Sequence, residues 1–260
     1  MTAILRNESE KLLRNSLILT GVLALIAAFF LAVFPGFQDE AELLEEAIPG
    51  HMAALLGFEE LHTIEGFTAG YMYPLLWILL GGIYVAYLSA GLISGDIRTR
   101  KMDLTLSNPV SRESVLLQKV ASLWVPLVVL SIGLIAVLSA GALVIGESFD
   151  LVHLVMVHLL SIPYLLVCAG IGVVMSVVLR RPRSAQAAAG GLVFMLWLVD
   201  GTSNMDPDFE WIGMFTPSYY YSETEILVHE EFAYVDAGLL LVVFVVLVTV
   251  AVALFRRRDI

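Results

Sequence analysis

His229-Glu230-Glu231-Phe232-Ala233 opens as a zinc-protease signature does, with glutamate directly after histidine. That chemistry needs a second histidine four positions on, on the same helical face, and Ala233 stands there instead. Asp150, His153, Met156 and His158 bring soft-metal ligand types together at the head of an apolar run. His153 and His158 are five apart, which does not set them on one helix face, so histidines at a membrane boundary are the commoner reading. Glu59-Glu60 lacks the basic residue that an intramembrane protease would place soon after, and no G-x-S-x-G occurs. A phosphate-cradling loop needs a lysine after glycine; Lys11, Lys101 and Lys119 are the only lysines and none follows one. Cys168 is alone, a small buried hydrophobe with no disulfide partner. The chain is therefore expected to have no catalytic set, no metal and no cofactor of its own, and any ATP must be bound by a partner.

The elements that carry these residues are membrane-spanning. The chain has 260 residues, 59% hydrophobic and 15% charged, with a mean hydropathy of +0.87. A soluble domain would be close to one-quarter charged. Six apolar runs are long enough to cross a bilayer as helices: Ser16–Phe34, Tyr71–Ser94, Val120–Gly146, Leu151–Leu179, Ala185–Gly201 and Tyr234–Phe255. The fold expected is an all-α polytopic membrane domain over residues 1–260, without repeats or low-complexity tracts. The first run ends at Phe34-Pro35-Gly36-Phe37 with no A-x-A-like site, so it reads as an uncleaved span.

Charge assigns the two faces. With the N-terminus inside and six alternating spans, all 14 Lys and Arg fall in inner segments and 19 of 25 acids in outer ones. Both termini are expected to be cytoplasmic, in a multi-pass protein of the cell membrane. The acidic exterior suits concentrated salt, as around a haloarchaeon or another halophilic prokaryote; the plainer reading is that outer loops are free to be acidic. Span interiors hold no charges, which disfavours ion-coupled transport.

Outside the spans, residues 1–15 mix charge with Leu5, Leu12 and Leu13, suiting a helix on the inner surface that then turns into the membrane. Of the outer segments 35–70 and 204–233, the first alternates acids with Leu43, Leu44, Ile48, Leu55, Leu56 and Phe58. Pro49-Gly50 should divide it into two amphipathic helices. The second carries Trp211, Phe215 and Tyr219–Tyr221, suited to the water boundary. The small-residue run Ala187–Gly191 permits close packing, either between two copies or within one. Between spans two and three, Ser94 or Asp96 should cap one short helix through Leu106, with Ile97 and Leu104 on a shared face. Asn108-Pro109 should break it, Asn108 capping a second helix that runs through Lys119 into the third span. The result is a helix–break–helix elbow that could pass force from a partner to the spans; an ordinary loop of topogenic charge is the alternative.

"ISGDIRTRKMDLTLSNPVSRESVLLQKVASL" (Ile93 to Leu123) resembles the segment between spans two and three of type-2 ABC exporter permeases. Asp103-Leu104-Thr105-Leu106, Pro109-Val110-Ser111-Arg112 and Lys119 carry the likeness, together with the six-span layout, "FTPSYYY" and the "ALFRRRDI" ending. The glycine usual near Arg100 is absent. The resemblance implies a permease subunit, itself no enzyme, pairing as a homodimer or heterodimer in the bilayer. It would be driven by a cytoplasmic ABC ATPase carrying ATP and Mg; no nucleic acid is expected to bind. It implies a docking surface of Gly95, Asp96, Arg98, Arg100, Asp103, Leu104, Pro109, Val110, Ser111 and Arg112. Glu8, Lys11 and Arg14 of the N-terminal surface helix would lie alongside. Substrate is not implied: drug, lipid, peptide, sodium and metal-maturation cargoes stay open. A non-transporting scaffold anchoring cytoplasmic proteins through the same elbow is the second reading.

Overall fold

The computed structural model describes residues 3–47, 60–204 and 208–258. All regular elements among them are helical, and six helical stretches are long and apolar enough to cross a membrane. Helix α1 spans Ala3–Ala47 without interruption. No turn separates residues 3–15 from the apolar run, so the expected surface helix is the beginning of α1 itself. Nothing between Asn15 and Ser16 breaks a helix, and α1 also continues past Pro35. The Pro49-Gly50 break and Ile48, Leu55, Leu56 and Phe58 lie outside the described residues.

The second span is composite. Thr63 caps the one-turn α2 (Ile64–Phe67), its hydroxyl accepting from the Gly66 N–H at 3.0 Å. A π-helical stretch follows over Thr68–Leu79, and α3 completes the span over Leu80–Gly91. Pro74 within the stretch has no N–H to donate, and the wider register persists to Leu80, whose N–H bonds the Leu75 carbonyl five residues back. The remaining helices are α4 (Ser94–Arg98), α5 (Lys101–Leu106), α6 (Arg112–Ala121), α7 (Trp124–Ile145), α8 (Leu151–Val178) and α9 (Pro182–Ser203). The short α10 (Glu210–Gly213) and α11 (Glu223–Leu227) precede α12 (Tyr234–Arg257).

Helix α8 forms the centre, buried from Leu154 through Val177 along most of its length, with α3, α9 and α12 around it. Asp150 caps it by accepting from the Val152 and His153 N–H groups at 2.7 and 3.3 Å. Backbone approach is closest where Gly172 meets α3: a methyl there would overlap the Ala86 carbonyl and the Ser89 hydroxyl. α1 pairs alongside α7 in the same direction, Thr20 against Gly133 and Leu31 against Gly141. Ala185 and Ala189 are buried within the subunit, and Gly190 approaches Ile83 of α3, while Ala187 and Gly191 face outward. The outward faces of α1, α7, α9 and α12 are apolar; Leu25 of α1 is 74% exposed. Lipid tails or a second copy suit such faces.

The elbow differs from its sequence-based outline in three respects. It holds two short helices, because Arg100 adopts the left-handed conformation (φ 56°) between α4 and α5. This is the neighbourhood of the missing glycine, the residue that takes positive φ without steric cost. The kink also separates Ile97, packed inward, from Leu104, which is 72% exposed. Neither Ser94 nor Asp96 caps α4; the Ser94 hydroxyl turns back to the Ala90 carbonyl at 2.7 Å and Asp96 is engaged elsewhere. Ser111, not Asn108, caps α6 by accepting from the Ser114 N–H at 3.2 Å. Asn108 instead donates to the Leu104 carbonyl at 2.9 Å, closing the end of α5. Finally, α6 ends at Ala121, and a turn at Ser122-Leu123 precedes α7.

Candidate functional site

The base of the elbow is held by one lysine. Lys119 of α6 is 2% exposed, and its ammonium lies 2.7 Å from an Asp96 oxygen and 3.1 Å from a Glu8 oxygen. Lys11 donates to the same Glu8 oxygen at 2.8 Å. Three elements far apart in sequence, α1, α4 and α6, therefore meet at one buried charge cluster. Breaking such a cluster by deleting one partner typically costs about 3–5 kcal/mol, because the other charge is left buried and unpaired.

A hydroxyl fixes the elbow's entrance. Ser176 Oγ of α8 accepts from the backbone N–H groups of Ile93 and Ser94, each at 3.0 Å. These donors lie at the start of α4, where intrahelical partners are missing. Beneath, Ile93, Met102, Val115 and Leu116 pack on Val173, Val177, Ala251 and Phe255, a cluster distinct from the main core. The elbow is thus seated on the ends of α8 and α12.

Two arginines close those ends. Arg112 donates to the carbonyls of Phe255 and Arg256 at 3.3 and 3.4 Å and to that of Arg258, capping α12. Arg258 in turn donates to the carbonyls of Ser176 at 3.0 Å, Leu179 at 3.2 Å, and Val177, capping α8. Each supplies donors to carbonyls that a helix C-terminus leaves unpaired, with charge of the favourable sign. Glu113 adds an ion pair to Arg256 at 2.6 Å.

The outward face is polar with one apolar point. Arg98, Arg100, Lys101, Asp103, Leu104, Asn108, Pro109 and Ser111 are exposed. Beside Leu104 a recess of about 400 Å³ is lined by Ala3, Ile4, Leu104, Thr105, Asn108, Val110 and Gln118. It joins the first turn of α1 to the elbow. Of the residues singled out from sequence, Glu8 and Asp96 are brought together, Arg112 is half-buried against α12, and Gly95 and Val110 are half-buried. Lys11 and Arg14 stay exposed on α1. Sequence reasoning missed Lys119 as the hub, and missed Ser176 and Arg258 entirely. Lys119 falls four residues after buried Val115, on the same helix face, which was the available signal.

Polar groups also gather at the opposite end of α8. The Tyr73 hydroxyl is 3.2 Å from His158 Nε2, Trp77 donates to the Ser161 hydroxyl at 2.8 Å, and Tyr221 donates to the Val157 carbonyl at 2.8 Å. His158 is thus buried among aromatics, whereas His153 lies 3.9 Å from both Asp150 and Glu230. Among the described residues no three His, Cys, Asp or Glu side chains gather as a metal-ligand set. The stretch beginning at His229 lies past the end of α11 with Glu230 left-handed (φ 59°), so it is not on a helix as zinc-protease chemistry requires.

A family model described as ABC-2 family transporter protein matches residues 2–260. No curated protein matches the chain.

Proposed function

The chain belongs to the ABC-2 family of transporter proteins, and from that membership we propose that it is the membrane-spanning permease subunit of an exporter driven by a separate ATPase. The partner is a cytoplasmic ABC ATPase subunit that carries ATP and Mg. Two permease copies, identical or related, pair through outward apolar faces of the spans. The orientation follows the charge distribution, with both termini and the elbow cytoplasmic.

The observation that carries this reading is the seating of the elbow: Lys119 ties it to α1, Ser176 to α8 and Arg112 to α12. A segment so joined cannot move without carrying span ends with it. Its free side, with Arg100, Asp103, Leu104 and Pro109, is the face on which the ATPase docks, and Lys11 and Arg14 of α1 flank it. Arg112, Glu8 and Asp96 act behind that face, as the linkage.

The test is reconstitution of the full chain with candidate ABC ATPase subunits from the same source organism. Docking and coupling predict co-purification and an ATPase rate that changes when the permease is present. Co-purification with an unchanged rate would point to a scaffold instead, and failure to co-purify would refute the assignment.

A further inference from the structure

A second feature of the charged end lies beside the elbow and shares Arg98 with it. Arg98 of α4 and Arg180, Arg181 and Arg183 at the α8–α9 turn line an open pocket of about 530 Å³ together with Pro182 and Ser184. All four arginines are exposed, no carboxylate lines the pocket, and none of the four makes an ion pair or side-chain hydrogen bond among the described residues. Arg112, Arg256 and Arg258, by contrast, are each engaged by protein oxygens.

The pocket also carries charge in an unfavourable place. Arg181 occupies the N-cap of α9 with no side-chain cap, Pro182 follows, and Arg183 comes next. The N-terminus of a 22-residue helix is its positive end, where cations are destabilising and anions stabilising. Arg180 acts on Arg258, which burial and this neighbouring charge together hold below the usual arginine range. Like charges concentrated at a helix N-terminus, facing a cavity, lack only an anion.

We propose that Arg98, Arg180, Arg181 and Arg183 form a receptor for the phosphate of an anionic membrane lipid. Guanidinium forks match phosphate oxygens in pairs, and the unpaired N–H groups of the first turn of α9 add donors. The place selects lipid over free phosphate. The pocket sits where α8 ends and α9 begins, two residues past Val178, which is 54% exposed, and the end of a bilayer-spanning helix falls at headgroup level. From it the outward face of α9 offers Leu192, Met195 and Leu198 to an acyl chain. Basic pockets between span ends bind acidic headgroups in this manner. The lipid would bridge α4 of the elbow and the α8–α9 turn, independently of whether an ATPase docks on the elbow.

The test uses the full chain in uncharged detergent, titrated separately with short-chain phosphatidylglycerol, short-chain phosphatidylcholine and inorganic phosphate, with binding read by native mass spectrometry. Phosphatidylglycerol should bind at least ~10-fold more tightly than either of the others. Arg181→Gln with Arg183→Gln should weaken it by roughly 25-fold, about fivefold per arginine. Because that pair also contributes to topology, Arg98→Gln is the second variant, on a different element, and should cost about fivefold. Equal binding of the two lipids, or wild-type affinity in both variants, overturns the site. Inorganic phosphate binding as tightly as phosphatidylglycerol overturns the lipid. Unchanged lipid binding with loss of ATPase retention in the variants assigns the pocket to protein docking and overturns the proposal as well.

Discussion

Lys119 and Asp96 form a 2.7 Å ion pair with the lysine side chain 3% exposed, across the elbow from one helix to another. A lysine this buried is tolerable only because two carboxylates, Asp96 and Glu8, share its charge. This pair joins α6 to α4, and the Glu8 oxygen 3.1 Å from the same ammonium ties both to α1.

Replacing Lys119 by Met should leave Glu8 and Asp96 facing each other in a poorly solvated site. We expect a loss of about 3–5 kcal/mol, seen as a lower thermal unfolding midpoint of the full chain in detergent. Adding Glu8→Gln and Asp96→Asn to that variant should recover much of the midpoint, since no buried charge is then unpaired. ATPase stimulation should stay low in both, because the tie is absent in both. Equal midpoints for wild type and Lys119→Met would show that the cluster is not the elbow's anchor.

Gly172 permits the contact of α8 with α3. A β-carbon there overlaps Ala86 O and Ser89 Oγ and lies 3.0 Å from Ala90 N, and backbone atoms cannot step aside as a flexible side chain can. Gly172→Ala should destabilise by roughly 1–3 kcal/mol. Gly21→Ala in α1, with nothing within 4 Å, should be neutral or stabilising by up to ~1 kcal/mol through helix propensity. Midpoints that move together for both variants would remove the argument for close packing.

The spans were legible because each is an apolar run bounded by charge, and the basic segments do converge on one end of the bundle. What was not legible depends on competition between near-equal local choices. Asn108 and Ser111 are both good caps, and the tertiary seat of the elbow selects Ser111. Arg100 in the left-handed region is unfavourable on its own, and only the packing of Ile97 and Met102 on either side requires it. The π-helical register around Pro74 leaves no period in a uniformly apolar segment. The capping by Arg112 and Arg258 joins residues more than 75 positions from their acceptors, beyond any local pattern.

Glu223, at the end opposite the elbow, has its carboxyl pushed up to about 8, first by burial and then by the charge of Asp200. Tyr73, Tyr164 and Tyr221 are its other titratable neighbours. The folded form then retains a proton that the unfolded chain releases near the ordinary 4.5. Stability should be full below that value, fall as pH rises, and reach its lower plateau above about 8. Glu223→Gln, neutral at every pH, should match wild type near the acidic end and unfold at higher temperature at the alkaline end. A wild-type midpoint that does not fall between these limits would show Glu223 to be ionised in the fold.

Leu104 is a large apolar side chain, 72% exposed, at the outer surface of a segment otherwise lined by charge. Beside it the recess formed with Ala3 and Ile4 offers room for an inserted side chain. If the ATPase docks there, Leu104 occupies the centre of the contact, where truncation or charge is most costly. Leu104→Arg should weaken ATPase binding by ~10-fold or more, and Asp103→Arg should change it in the same assay through its charge. Neither should lower the unfolding midpoint, since neither side chain is buried in the free chain. The measurement is titration of purified ATPase onto the full chain in nanodiscs. Wild-type affinity in both variants would place docking away from the elbow, whereas weakened affinity at an unchanged midpoint would assign the contact to this face.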